Sequence, residues 1–194
     1  MNIFKLKFVC AAVIALSAGG GIASANLINN PGFETPTPKE PFAGWTTTPA
    51  ASGSFFDVDQ FVAHSGSLGA FFGGVTVGSY DSISQTFATT AGSFYTVSFW
   101  LENLGDPPSD FRVLFGGNLV LDELNATAFP YTQFTFSLLA TGSSTTLEFQ
   151  AYHVPSYFGL DDVSVTNSVP DASSTAMLLG LALSGLSFLR RKLS

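Results

Sequence analysis

Tyr131-Thr132-Gln133-Phe134-Thr135-Phe136-Ser137-Leu138 alternates apolar and polar residues with a period of two. In an extended strand that period turns one set of side chains into a core and the other into water. Thr146-Leu147-Glu148-Phe149-Gln150-Ala151-Tyr152 repeats the pattern. Tyr95-Thr96-Val97-Ser98-Phe99-Trp100-Leu101 is dense in the β-branched and aromatic residues that suit a pleated surface. Outward from these lie further candidate strands at Ser54–Val62, Leu68–Phe72, Ser79–Thr86, Phe111–Phe115, Asn118–Leu121 and Leu160–Thr166. Turn residues fill the gaps, as in Gly73-Gly74, Asp106-Pro107-Pro108 and Gly116-Gly117-Asn118. No window of residues 26–168 sustains a 3.6-residue apolar period. The expected fold is all-β, an antiparallel β-sandwich of about eight or nine short strands. Phe111–Phe115 and Asn118–Leu121 are expected to form a hairpin through Gly116-Gly117. The proline-rich stretch from Pro31 to Pro49 reads as a long connection over the surface.

Composition narrows the class. Charged residues are only 11% of the 194-residue chain while Phe occurs 20 times, which argues against disorder. Thirteen of the 14 acidic residues lie between residues 26 and 168, against Lys39 and Arg112 as the only bases there. That segment carries 2 − 13 = −11. Nucleic acid is excluded as a partner, because a basic face is needed to displace counterions from phosphate. Acidity suits a domain that holds a hard cation or must stay soluble. The single cysteine, Cys10, sits near the N-terminus, so residues 26–168 can form no disulfide.

The two ends read as addresses. Residues 1–25 have the form of a secretory signal peptide: Lys5 and Lys7, an apolar run from Phe8 to Ala18, then Ala23-Ser24-Ala25 as a small-residue cleavage box. The apolar run is shorter than the about 20 residues a membrane span needs. Residues 26–168 then form the expected β-sandwich domain, one core's worth of chain. The tail, 169–194, opens with Val169-Pro170-Asp171, continues through the uncharged stretch Ala172–Leu189, and ends near Arg190-Arg191-Lys192. Residues 172–189 are just long enough for a transmembrane helix. The basic cluster behind them would stay cytoplasmic, leaving the domain outside.

This tripartite tail resembles the PEP-CTERM class of sorting signals in its Val-Pro-Asp variant. The resemblance covers the last 26 residues. It implies an exosortase-type sorting enzyme as partner, cleavage near Pro170-Asp171, and membrane attachment through the C-terminal helix until processing. The location would be the cell envelope or extracellular matrix. Asp171 and Ala172 stand where the common motif has Glu and Pro. A plain anchor that is never cut is the alternative.

A second series resembles the galactose-binding-like jelly rolls related to carbohydrate-binding modules. It runs through Asn29-Asn30-Pro31-Gly32-Phe33-Glu34, Gly44-Trp45, Ala63-His64-Ser65-Gly66-Ser67, Ile83-Ser84-Gln85-Thr86-Phe87, Gly92–Phe99 and Leu160-Asp161-Asp162-Val163-Ser164-Val165. The resemblance implies a structural calcium ion (Ca2+) held by Glu34 and an acid of the closing motif, and a Trp45 packed against the sandwich. Calcium favours hard oxygens, and Glu34, Asp161 and Asp162 are the candidates. Neighbours in a strand point to opposite faces; Asp162 is the expected ligand of the pair, by its place in the family motif. The alternative is that these acids cap turns or face water.

For a sugar ligand, Tyr152, His153 and Tyr157 are the candidates, with Phe158, as aromatics of an exposed loop before the last strand. Trp100 is expected in the core and His64 in a turn. Catalysis is not expected. No pair of carboxylates is marked for glycoside hydrolysis, Ser65 beside His64 is adjacency rather than a triad, and no phosphate loop is present. The sequence therefore points to an exported, non-catalytic β-sandwich with polysaccharide as candidate ligand. The alternatives are a purely structural or adhesive matrix protein and a carbohydrate-active enzyme.

Overall fold

The computed structural model describes residues 24–168. The expected leader up to Ala23 and the expected tail lie outside the described residues, including Val169, Pro170, Asp171, the stretch 172–189, Arg190, Arg191 and Lys192. Among the described residues no helix is long and apolar enough to cross a membrane.

Ten strands are present: β1 Thr46–Thr48, β2 Phe56–Asp59, β3 Gly69–Phe72, β4 Asp81–Ala88, β5 Phe94–Asn103, β6 Ser109–Phe115, β7 Asn118–Asp122, β8 Phe129–Leu139, β9 Ser144–His153 and β10 Phe158–Asn167. They form two five-stranded antiparallel sheets, ordered β1-β4-β9-β6-β7 and β2-β3-β10-β5-β8. This is the expected sandwich. The β6–β7 hairpin turns through Gly116 and Gly117, at φ 57° and 80°, the positive values a two-residue turn of this type requires. The segment expected as one strand over Ser54–Val62 is a strand only at 56–59. Asp59 then accepts from the Phe61 N–H at 3.1 Å and starts a 3-10 turn over Gln60–Val62. Strand β1 was not expected, because three exposed threonines carry no alternation; its pairing with Ser82–Ser84 of β4, centred on Thr47 and Ile83, places it.

The core lies between the sheets. Tyr95, Val97, Phe99 and Leu101 face inward from β5, and Leu147, Phe149 and Ala151 from β9. Phe99 and Phe149 meet edge to face across the gap, with ring centroids 5.2 Å apart. Each fully buried Phe stabilises the fold by about 1.5–3 kcal/mol. Trp100 falls between Phe99 and Leu101, so period two turns it outward, half-buried, rather than into the core as expected. The Pro31–Pro49 stretch does more than cross the surface. Phe33, Phe42 and Trp45 are buried, Trp45 stacks on Phe33 at 5.5 Å, and its Nε1–H donates to the Asn30 carbonyl at 3.2 Å.

The two ends of the described segment meet. The Leu27 N–H donates to the Val165 carbonyl at 2.8 Å, and Asn26 exchanges hydrogen bonds with Val163 and Val165. Every strand pairing and the core described are internal to residues 24–168. A span that holds its own core and all its strand pairings is expected to fold on its own.

Candidate functional site

Residues two apart in a strand share a face. On the outer face of the first sheet this aligns Asp110 and Arg112 of β6 with Tyr152 and Gln150 of β9, their register partners. Tyr80 precedes β4 beside them. Arg112 is fixed from three sides. Its Nη2 lies 2.9 Å from Asp110 Oδ2, its Nε donates to Asp122 Oδ1 at 3.1 Å, and its guanidinium carbon lies 4.7 Å from the centre of the Tyr80 ring. The Tyr80 hydroxyl donates to Asp110 Oδ2 at 2.5 Å, and the Tyr80 and Tyr152 rings meet edge to face at 5.1 Å. Asp110 is fully buried and its Oδ1 has no hydrogen-bond partner. Burial pushes the Asp110 carboxyl upward, while the Tyr80 hydroxyl and Arg112 pull it back. Burial, reinforced by the bond to Asp110, raises the Tyr80 phenol, so its proton stays on. The result is a preset patch of guanidinium, amide and aromatic ring.

A second cluster gathers the three acids expected to hold a metal. Asp161 is fully buried. Its Oδ2 accepts from the His64 and Ser65 N–H groups at 2.9 and 3.0 Å, and its Oδ1 from the Asp162 N–H at 2.7 Å. Asp162 Oδ2 lies 2.7 Å from His64 Nδ1, and its Oδ1 accepts from the Ser65 hydroxyl at 2.6 Å. Glu34 Oε1 accepts from the Ser67 and Leu68 N–H groups at 2.7 and 3.0 Å. Asp161 and Asp162 were expected on opposite faces. Instead β10 breaks register with β5 between Asp161 and Ser164, and Asp162 takes φ 51°, so both carboxylates reach the same loop. Gly66, at φ 65°, is required there, since a Cβ would lie 2.1 Å from Glu34 Oε1. A side chain on Gly32 would begin 3.5 Å from Asp161 Oδ1 and 3.9 Å from Asp162 Oδ1. The donor set is hard oxygen, as calcium favours, and no hydrogen bond reaches Glu34 Oε2 among the described residues. No group of three or more His, Cys, Asp or Glu among those residues has metal-holding spacing, so backbone carbonyls would have to complete any shell. His64 itself stacks on Trp100, with centroids 3.9 Å apart.

The sugar candidates expected in one exposed loop are separated. Strands β9 and β10 run further than expected and leave only residues 154–157 between them. Tyr152 closes β9 on its outer face with 4% exposure; His153 faces the core with 1%, and Phe158 is fully buried. Tyr157 lies on the other sheet, against Phe55, Phe61 and Phe71 at 5.6–5.8 Å. Sequence reasoning counts Tyr80 among the available aromatics but misses Asp110, Arg112 and Gln150. The available signal was Asp110-Phe111-Arg112, a strand tripeptide carrying the one arginine of residues 26–168.

Burial lowers the His153 pKa from its ordinary 6.5. Its Nε2–H donates to Asn103 Oδ1 at 2.7 Å, and its Nδ1 has no partner. As pH falls through the ordinary imidazole range the unfolded chain takes up a proton that the folded one refuses, so stability is lost. Denaturant titrations should show the wild type losing more stability between about pH 7 and pH 5 than His153→Gln. Asp161 and Asp110, raised by burial, contribute the opposite slope. They are common to both proteins and cancel in the difference.

The comparisons with known proteins bear on the tail and on the fold separately. Residues 168–193 match the VPDSG-CTERM motif. The match is confined to the tail, where the sequence resemblance placed a sorting signal. No curated protein matches the chain. Solved structures similar to this chain include TmCBM61 in complex with β-1,4-galactotriose, at 18% identity, TM-score 0.57, and coverage of 75% of this chain and 100% of that one. A CBM4 structure is 18% identical over 73% of this chain and 99% of its own, at TM-score 0.51. The enzymatically active domain of the bacteriophage CBA120 tailspike protein 4 is 15% identical at TM-score 0.53, over 73% of this chain but 21% of its own. At these identities the likeness is one of fold. The chain thus carries a C-terminal sorting motif behind a sandwich whose fold is like that of carbohydrate-binding modules.

Proposed function

We propose that this is an exported, surface-sorted protein whose sandwich binds a polysaccharide without cleaving it. The observation that carries the reading is Arg112, held by Asp110, Asp122 and the Tyr80 ring on the outer face beside Gln150. Fixed donors lose little freedom when they meet sugar hydroxyls. The galactotriose-bound neighbour supports the ligand class. Glycoside hydrolysis needs two carboxylates about 5–10 Å apart across the scissile bond. The two nearest Arg112 are both committed to it, which supports a non-catalytic role.

Affinity electrophoresis of residues 24–168 against a polysaccharide panel tests the proposal. At least one polysaccharide should retard the domain saturably, and Gln150→Ala should weaken retention about three- to tenfold, the worth of one hydrogen bond. Retardation by none would favour the purely structural or adhesive reading. Release of reducing ends would favour a carbohydrate-active enzyme. Processing is tested separately by the intact mass of the protein from its own host. A chain ending near residues 169–171 supports an exosortase-type sorting enzyme; one running to Ser194 in the inner membrane indicates a plain anchor.

Calcium at Glu34 and Asp162 is part of the same proposal. It is supported by the hard oxygens of Glu34, Asp161 and Asp162, all of which bind the loop over residues 64–68, and by the family resemblance. A ligand that binds only the folded state stabilises it, by about 2.7 kcal/mol at a hundredfold excess over its Kd. Chelation should therefore lower the melting temperature by about 5–10 °C. An unchanged melting curve, in a sample metal-free by elemental analysis, would remove calcium from the proposal and leave the hydrogen-bonded cluster.

A further inference from the structure

An edge strand offers unpaired N–H and C=O groups to any chain that meets it, and proteins blunt such edges with short strands or charge. This sandwich has four edges. Strand β1 has three residues, β2 has four including Asp57 and Asp59, and β7 has five ending in Asp122. Strand β8 differs. It runs 11 residues without a charged side chain, and its one proline, Pro130, sits at the second position. The flank beside it is also open. Between β7 and β8 lies a groove of about 330 Å3 lined by Phe115, Leu119, Val120, Phe136, Leu138 and Leu139. Phe134, Phe136 and Leu138 remain only partly buried, whereas Val97 and Phe99 on the adjoining β5 are fully buried. Leu119 and Leu139 are 56% and 47% exposed.

We propose that β8 is a self-association edge. Two copies of this chain pair their β8 strands antiparallel about a two-fold axis, join two five-stranded sheets into one, and cover both apolar grooves. A strand paired antiparallel with itself is self-complementary, each residue meeting the one equidistant from the axis. Charge selects the same flank. Each copy carries −11 over residues 26–168, so most surfaces repel one another, and β8 holds none of the thirteen acidic residues. The flank is distinct from the outer face that carries Arg112, so the proposal stands apart from sugar binding.

Sedimentation equilibrium of residues 24–168 is the test. A monomer–dimer equilibrium is expected, tightening as salt screens the acidic charge. Thr135→Lys, an exposed mid-strand position of β8, should weaken it at least tenfold, while Thr47→Lys on β1 should not. Hydrogen exchange of the wild type gives a reading that needs no variant: β8 amides should gain protection with rising protein concentration. A monomer at every concentration overturns the proposal and leaves β8 open to a strand of another protein. A dimer that leaves β8 amides unprotected, or that Thr135→Lys leaves intact, overturns it as well.

Discussion

Asp161→Ala is expected to lower the melting temperature of residues 24–168 by about 10 °C or more, read by circular dichroism. The Asp161 carboxylate is fully buried and satisfies three backbone N–H groups, from His64, Ser65 and Asp162. Alanine strands all three, and each unsatisfied buried donor costs about 1–3 kcal/mol. Water entering the gap will relieve part of this, so about 3–5 kcal/mol is the expected net loss. Burial raises the Asp161 carboxyl, and the N–H groups of Ser65, Asp162 and His64 oppose that rise. Asp161→Asn keeps one accepting oxygen and should fall between alanine and wild type. If alanine is tolerated, the loop over residues 63–68 is held by Glu34 and Asp162 alone.

Arg112→Met should both destabilise the domain and abolish its retention by polysaccharide. Methionine removes the cation 2.9 Å from Asp110, a side chain with no exposure to water. Stranding one partner of a buried pair costs about 3–5 kcal/mol; Tyr80 still donates to Asp110, which places the expected loss near the lower end, about 3 kcal/mol. Adding Asp110→Asn removes the stranded charge and should recover most of the stability. It should not recover retention, because the guanidinium is still missing. Recovery of both would show that Arg112 serves the fold alone and would sink the assignment of the outer face.

The sandwich was legible from Tyr131–Leu138 and its counterparts because an antiparallel sheet with one face in water writes its burial into alternate residues. The same rule, applied to Trp100, would have turned it outward beside His64, but the apolar density of Tyr95–Leu101 masked the parity. That Glu34 and the Asp161-Asp162 pair would come to one region was legible from the closeness of first and last strands in a sandwich and from the family resemblance. That both aspartates turn to one loop was not, since it depends on a register break and a positive φ at Asp162. The Arg112 patch was illegible for another reason. Its members come from Tyr80, β6, β7 and β9, and only the strand order brings them together.

The end of β10 determines how this domain meets mechanical force. If the proposed tail tether and polysaccharide grip act together, the load enters the domain through Asn167. Strand β10 is central in its sheet. Near its end it is flanked on one side by β5, paired from Ser164–Ser98 to Asn167–Tyr95, and on the other by Asn26 and Leu27. Tension along β10 therefore loads both rows of hydrogen bonds in shear, many at once. Tension entering through an edge strand such as β2 or β8 would peel them one by one. Under the proposed function, the exit of the chain from a central strand would make the sandwich a stiff link between the tail and a bound polysaccharide.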